Sequence, residues 1–162
     1  MLKYTIVLII IVTAVVAIKS KIRFAPTYQV RIKDIPDVYA KLEAGGQDSS
    51  FATFSFIPPD KQSPDEAINI QFSIAEGRIG LDWVLLAPAN IRDKDRIQGF
   101  VQERGYVISK RSMNDVHYLR VEGGADLPKL CQEIIRDVYR VSADEELGLD
   151  MDGFQWPESE AK

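Results

Sequence analysis

Residues 68–86 read INIQFSIAEGRIGLDWVLL, and their two alternating halves predict a pair of β-strands. In residues 68–74, Ile and Phe alternate with Asn, Gln and Ser, which is the pattern of a strand with one buried face. Residues 79–86 repeat the alternation, with Leu81 and Trp83 pointing the same way. Gly77 lies in the short turn between the two halves. The stretch therefore predicts an antiparallel hairpin at the centre of a sheet.

One charged residue interrupts the second half of this hairpin. Asp82 lies on the face opposite Trp83. If that face is open, the carboxylate is hydrated, and this is the interpretation we favour. If the face is covered, Asp82 needs a cationic partner, and Arg120 on a later strand is suitable.

The flanking sequence extends the hairpin into a small α+β domain. Aromatic and β-branched runs indicate further strands, and apolar residues spaced by three and four indicate helices. The predicted strands are 51–57, 68–74, 79–86, 106–111 and 116–122, and the predicted helices are 34–45, 90–105 (with Asn90 as N-cap) and 127–140. This order, α-βββ-α-ββ-α, predicts a two-layer sandwich in which helices cover one face of an antiparallel sheet. Residues 24–33 could add a short strand, and the chain from Gly148 onward looks irregular.

This order of elements resembles the fold of type III secretion chaperones and related bacterial sensory-regulator proteins. The resemblance spans roughly residues 34–140, and the segments that carry it are INIQFSI, IGLDWVLL, HYLRVE and LPKLCQEIIRDVY. It implies an α+β sandwich that binds another protein. The chain departs from that family at its N-terminus, because secretion chaperones of this kind are soluble.

The N-terminus is an uncharged apolar stretch. Residues 4–18 read YTIVLIIIVTAVVAI, and we predict that residues 4–22 form a membrane-spanning helix. Three basic residues within 19–23 outnumber Lys3, so the positive-inside rule places the rest of the chain in the cytoplasm. We expect a single-pass anchor, residues 1–24, in the inner membrane.

Two alternatives to the anchor remain. The small residues at 15–17 could mark a signal-peptide cleavage site, which would release the protein into the periplasm. The stretch could also be a core helix of the globular domain, although a domain this small rarely buries a helix that is apolar all round.

Charge restricts the partners of this 162-residue chain. Its net charge is −4, and residues 24–162 hold 16 Lys and Arg against 24 Asp and Glu. An acidic body lacks the cationic surface that binds phosphate backbones, so we expect no nucleic-acid binding.

Residues suited to chemistry are few. His117 has no nucleophile in its sequence context, and we interpret it as a hydrogen-bonded strand histidine. Cys131 lies on the apolar stripe of the last helix and is interpreted as a buried hydrophobic residue. Residues 150–153 (DMDG) lack the remaining ligands of a calcium loop, and no phosphate-binding glycine motif occurs. We therefore expect no catalytic activity, cofactor or metal site.

The C-terminal segment, residues 142–162, has the most unusual composition. It holds seven acids against one lysine, together with two aromatic residues. We predict that its acids steer a basic partner and its aromatics anchor that partner. The residues concerned are Asp144, Glu145, Glu146, Asp150, Asp152, Phe154 and Trp156. The alternative is a solvated tail that the two aromatics hold against the domain.

These features predict three regions: an anchor (1–24), an α+β chaperone-like domain (25–141) and an acidic segment (142–162). We predict a membrane-tethered, non-catalytic protein-binding module, either chaperone-like, adaptor or regulatory, that recognises a basic protein surface. The first alternative is an immunity or inhibitor protein that neutralises a basic toxin. The second is an enzyme of unrecognised type.

Overall fold

The computed structural model describes residues 28–113, 115–122 and 126–156, and these form an α+β fold around one antiparallel sheet. The strands are β1 (Tyr28–Arg31), β2 (Phe51–Phe56), β3 (Ile68–Ala75), β4 (Arg78–Val84), β5 (Ile108–Met113), β6 (Val116–Glu122) and β7 (Glu146–Asp152). The helices are α1 (Ile35–Gly45), α2 (Pro88–Arg92), α3 (Lys94–Glu103) and α4 (Leu127–Glu133). Short 3-10 turns occupy Ile32–Asp34 and Pro64–Glu66, and a π-helical turn, Ile134–Val138, follows α4.

The predicted membrane anchor lies outside the described residues. Among the residues that the structure does describe, no helix has the length and apolar character needed to cross a bilayer.

Helices cover one face of the sheet, as expected for a sandwich. Tyr39 of α1 meets Phe72 of β3 edge to face, with ring centres 5.2 Å apart. Tyr139, just after the π-helical turn, stacks on Trp83 of β4 at 6.1 Å. On α3, Ile97 is buried in the same core cluster. The α+β class and the helix layer predicted from the sequence are therefore confirmed for the described residues.

The central strands follow the sequence closely. β3 pairs antiparallel with β2 on one side and with β4 on the other, which is the predicted meander. β5 and β6 form the second predicted hairpin, and β6 joins the meander along β4. Residue alternation therefore determined both the strands and the faces that they bury.

The C-terminal segment departs most from the prediction. The chain predicted to be irregular from Gly148 instead forms β7, which lies between β1 and β2 in the order β1-β7-β2-β3-β4-β6-β5. Its Leu147 and Leu149 are fully buried. The prediction of an irregular segment is thus wrong through Asp152, because this stretch fills the gap between two strands that are distant in sequence. The described part of residues 142–162 therefore belongs to the α+β domain.

Two helix predictions also need correction. Asn90 is not an N-cap: the helix begins at Pro88, and Asp93 separates α2 from α3. The Asn90 side chain instead donates to the backbone carbonyl of Asn69 at 2.7 Å and accepts from the backbone N–H of Asn69 at 3.0 Å. It therefore bonds the backbone of β3 where the pairing with β4 ends. The predicted helix 127–140 is α-helical only to Glu133 and widens into the π-helical turn before it ends.

Candidate functional site

The sheet face away from the helices is polar, and within the described residues no helix packs on it. We call it the open face, and its central positions are Thr53, Ser55, Asn69, Gln71, Ser73, Asp82 and Arg120. Cross-strand hydrogen bonds tie neighbours on β2 and β3 together: Thr53 Oγ1 lies 2.9 Å from Gln71 Oε1, and Ser55 Oγ lies 2.7 Å from Asn69 Oδ1. These bonds satisfy the polar side chains and hold the face in one register.

A buried ion pair lies at the centre of the open face. Arg120 of β6 and Asp82 of β4 are each only 1% exposed, and Arg120 Nη1 lies 2.8 Å from Asp82 Oδ1. The register places the two residues directly opposite each other. The favoured interpretation of Asp82 as a hydrated carboxylate is therefore wrong, and the alternative, a pair with Arg120, is confirmed.

Every side of the Arg120 guanidinium is occupied. Its Nη2 donates to the carbonyl of Arg78 at 2.9 Å and to that of Ser73 at 3.2 Å, and its Nε donates to Glu122. A Cβ added at Gly80 would collide with the guanidinium. Glycine at this strand position therefore lets the arginine lie flat across β4.

The carboxylates of this cluster respond differently to their surroundings. Burial raises the pKa of Asp82, against the opposing effects of Arg120 and Ser73. Burial also acts to raise the pKa of Glu122, but the hydrogen bond and charge of Arg120, with Arg78 and Arg111, outweigh it. The pKa of Glu122 is therefore lowered. Ser73 also donates its hydroxyl to Asp82, so it belongs to the same hydrogen-bonded cluster.

The lowered pKa of Glu122 leads to a pH-dependent contribution to stability. A group with a depressed folded-state pKa stabilises the fold above its ordinary value, here 4.5, and loses that contribution as the pH falls through the folded-state pKa. Wild type should therefore have a higher free energy of unfolding than Glu122→Gln at pH 7, and this difference should shrink as the pH falls below 4.5. Urea titrations at a series of pH values on both sides of 4.5 measure it. A difference that does not shrink as the pH falls would contradict the assignment.

Three acidic side chains form a row on the same face. Glu146, Asp150 and Asp152 lie on one face of β7, with Gly148 between the first two, and we call these three acids the acidic row. Asp150 lies opposite Thr53 of β2 in the register. In the described part of the chain, no Lys or Arg nitrogen lies within 4.0 Å of a carboxylate oxygen of the row. Arg31 of β1 lies opposite Glu146 in the register, at one end of the row. Asp150 and Asp152 have no basic residue opposite them on β2, so this end of the row projects negative potential from the sheet.

The remaining predicted partner-binding residues lie elsewhere. Asp144 and Glu145 are exposed and precede β7. Phe154 and Trp156 are half-buried against the core, and Phe154 lies beside Gly45 at the end of α1, on the helix side of the sheet. The structure thus brings three of the five acids together and places the two aromatics against the domain. The partner role of the two aromatics stays a prediction, and they do not lie on the open face.

The other residues singled out by the sequence do not join a reactive site. Cys131 is fully buried, and burial raises the pKa of its thiol, as expected for a structural cysteine. His117 is exposed near the start of β6. Within the described residues, no group of three His, Cys, Asp or Glu side chains is placed to hold a metal ion.

Comparison with known proteins finds no matching family model, no matching curated protein and no matching solved structure. The resemblance to secretion chaperones therefore remains a prediction from the order of elements.

Proposed function

We propose that this chain is a membrane-tethered, non-catalytic protein-binding module that binds a basic partner through the open face. The observation that supports this most strongly is the acidic row, because Glu146, Asp150 and Asp152 lie on one strand face and form no ion pair within the described residues. A partner that presents Lys and Arg there would neutralise the row and gain association rate from its field.

The open face is also wide enough and rigid enough to bind another protein. Four strand intervals separate β7 from β6, which corresponds to roughly 19 Å at the usual interstrand spacing. The buried Arg120–Asp82 pair and the cross-strand hydrogen bonds hold this surface in shape. Met113, half-exposed beside Tyr118 at the far side of the face, offers apolar contact area.

The tether rests on the sequence of residues 4–22. In this proposal the anchor lies in the inner membrane, and the basic residues that follow it keep the domain in the cytoplasm. A chaperone-like, adaptor or regulatory role would then act on a partner at or near that membrane.

Neutralising the acidic row should slow association with the partner. The partner is first isolated with the full-length protein from native membranes, and its association rate is then measured with the purified pair. The combined change Glu146→Gln, Asp150→Asn and Asp152→Asn should lower that rate about tenfold at low salt. The difference should nearly vanish at about 1 M salt, where the Debye length is about 3 Å.

A matched control has the same change in net charge. Asp37→Asn, Glu43→Gln and Asp95→Asn remove three exposed acids from α1 and α3, in the helix layer. This control should change the low-salt rate less than about twofold, since the effect of a charge depends on its distance from the contact surface. Equal effects of the two triple variants would show that net charge, and not the acidic row, governs binding.

The same row would suit the alternative of an immunity protein that caps a basic toxin. The identity of the isolated partner separates the two roles. A toxin whose activity falls when the chain binds would establish the alternative, whereas an exported protein or a component of envelope machinery would support the adaptor role.

A further inference from the structure

A second polar feature lies at the edge of the helix layer, away from the open face. A cleft of about 440 Å³ is bounded by the loop after β2, the junction of α2 and α3, and the end of the π-helical turn. Its charged lining residues are Lys61, Arg92, Arg96, Arg140, Asp60 and Asp93. Cations thus exceed anions here by two, in a chain whose net charge is −4. We call this feature the arginine cleft.

Two of its arginines have no carboxylate partner in the described residues. Arg92 is neutralised, because it lies 2.7 Å from Glu66 and 2.9 Å from Asp93. Arg96 and Arg140 are both exposed and have no carboxylate oxygen within 4.0 Å among those residues. These two guanidiniums are therefore available to bind an external anion.

Arg96 is held by a backbone hydrogen bond and lies over the ring of a buried tyrosine, Tyr139. Its Nη2 donates to the carbonyl of Val138 at 2.6 Å, and its guanidinium carbon lies 5.5 Å from the ring centre of Tyr139. Tyr139 is only 5% exposed and donates its hydroxyl to Asp93 at 3.0 Å. A guanidinium has five N–H donors, so one bond to the backbone leaves donors for a ligand.

The backbone at Arg140 is the second unusual feature. Its φ is +59°, a left-handed conformation that helix ends usually assign to glycine or asparagine. It lies two residues after the end of a π-helical turn, and such turns are frequent at functional sites. Arg140 therefore combines a guanidinium that is unpaired within the described residues with a backbone position that glycine would occupy more easily.

We propose that the arginine cleft binds a phosphate group, held by Arg96 and Arg140 above Tyr139. Arginine forks match phosphate oxygens and bind them with charge-assisted hydrogen bonds. The phosphate belongs either to a soluble molecule or to the headgroup of an anionic lipid, and the same two side chains would bind it in both cases. This inference is independent of the protein-binding role of the open face.

The test uses the full-length chain in detergent micelles at constant ionic strength. Thermal melts are recorded with inorganic phosphate, and separately with micelles that contain phosphatidic acid or, as the phosphate-free match, diacylglycerol. Wild type should melt at a higher temperature with one or both phosphate probes and should not respond to diacylglycerol. A response to inorganic phosphate identifies a soluble phosphate as sufficient, whereas a response to phosphatidic acid alone identifies the lipid headgroup.

Three variants assign the response to the cleft. Arg96→Gln and Arg140→Gly should each weaken the apparent affinity by about tenfold or more, through loss of a charge-assisted contact. Arg140→Gly suits the left-handed backbone, so its fold should persist. Arg136→Gln is the control, because Arg136 is exposed, is bonded to its neighbour Asp137 and does not line the cleft. The proposal is overturned if neither phosphate probe raises the melting temperature, or if Arg96→Gln and Arg140→Gly respond as Arg136→Gln does.

Discussion

A chain that ends at Val141 is expected to lose cooperative folding, because it lacks β7. This strand pairs with β1 on one side and β2 on the other, so its removal leaves both without a neighbour there. Leu147 and Leu149 are both fully buried, and truncating one such residue to alanine costs about 2–5 kcal/mol. Losing the whole strand should therefore remove most of the free energy of unfolding, which is roughly 5–15 kcal/mol for a typical domain.

Thermal melts of the full-length and truncated chains in the same detergent measure this effect. A chain that ends at Trp156 is the control, since it keeps every described residue, and it should melt close to the full-length protein. If the truncated chain cannot be purified, Leu149→Ala should still lower the unfolding free energy by about 2–5 kcal/mol. A cooperative melt of the truncated chain near the full-length temperature would contradict the placement of β7.

The second large effect is expected from Arg120→Met. This change leaves Asp82 buried without its cation, and breaking a buried ion pair from one side costs about 3–5 kcal/mol. Arg120→Lys should recover only part of the loss, since one ammonium group cannot reach Asp82 and also the carbonyls of Ser73 and Arg78.

A double variant separates pairing from burial. Combining Arg120→Met with Asp82→Leu removes both charges, and replacing a buried ion pair with apolar side chains is often neutral or stabilising. The double variant should therefore be more stable than Arg120→Met alone. Urea unfolding of wild type, Arg120→Met, Asp82→Leu and the double variant gives the coupling energy. A loss below about 1 kcal/mol for Arg120→Met would show that the guanidinium is not part of the folded core.

The sequence predicted the elements whose burial alternates along a single segment. Residues 68–74 mark their buried face by period alone, and the structure follows them residue for residue. Residues 116–122 form a strand with the predicted bounds, although their burial does not alternate. β7 carries the same alternation, with Leu147, Leu149 and Met151 between polar residues, but this signal was missed because Asp and Gly are uncommon in strands. Its conformation comes from pairing with β1 and β2, which lie about 90 residues or more earlier in the chain.

The candidate surface was only partly predictable for the same reason. The acids of residues 142–162 were visible in the composition, but only the strand register selects Glu146, Asp150 and Asp152 as one row. The buried ion pair had a sequence signal that composition does not contain: Gly80 lies mid-strand, two residues before Asp82, where a glycine often marks the close approach of another group. The arginine cleft joins residues from three separate segments, so the linear sequence holds no pattern for it.

The most direct test of the central claim is photo-crosslinking of the full-length protein in native membranes. A photoreactive amino acid replaces Gln29 of β1, which is exposed. Gln29 lies opposite Gly148 of β7, the strand that carries the acidic row. A second chain carries it at Ala44, exposed on α1 in the helix layer. We predict one protein crosslinked from position 29, not from position 44, and lost when the acidic row is neutralised. Crosslinking of that protein from position 44 instead, or a crosslink at position 29 that survives neutralisation of the row, would contradict the proposed surface.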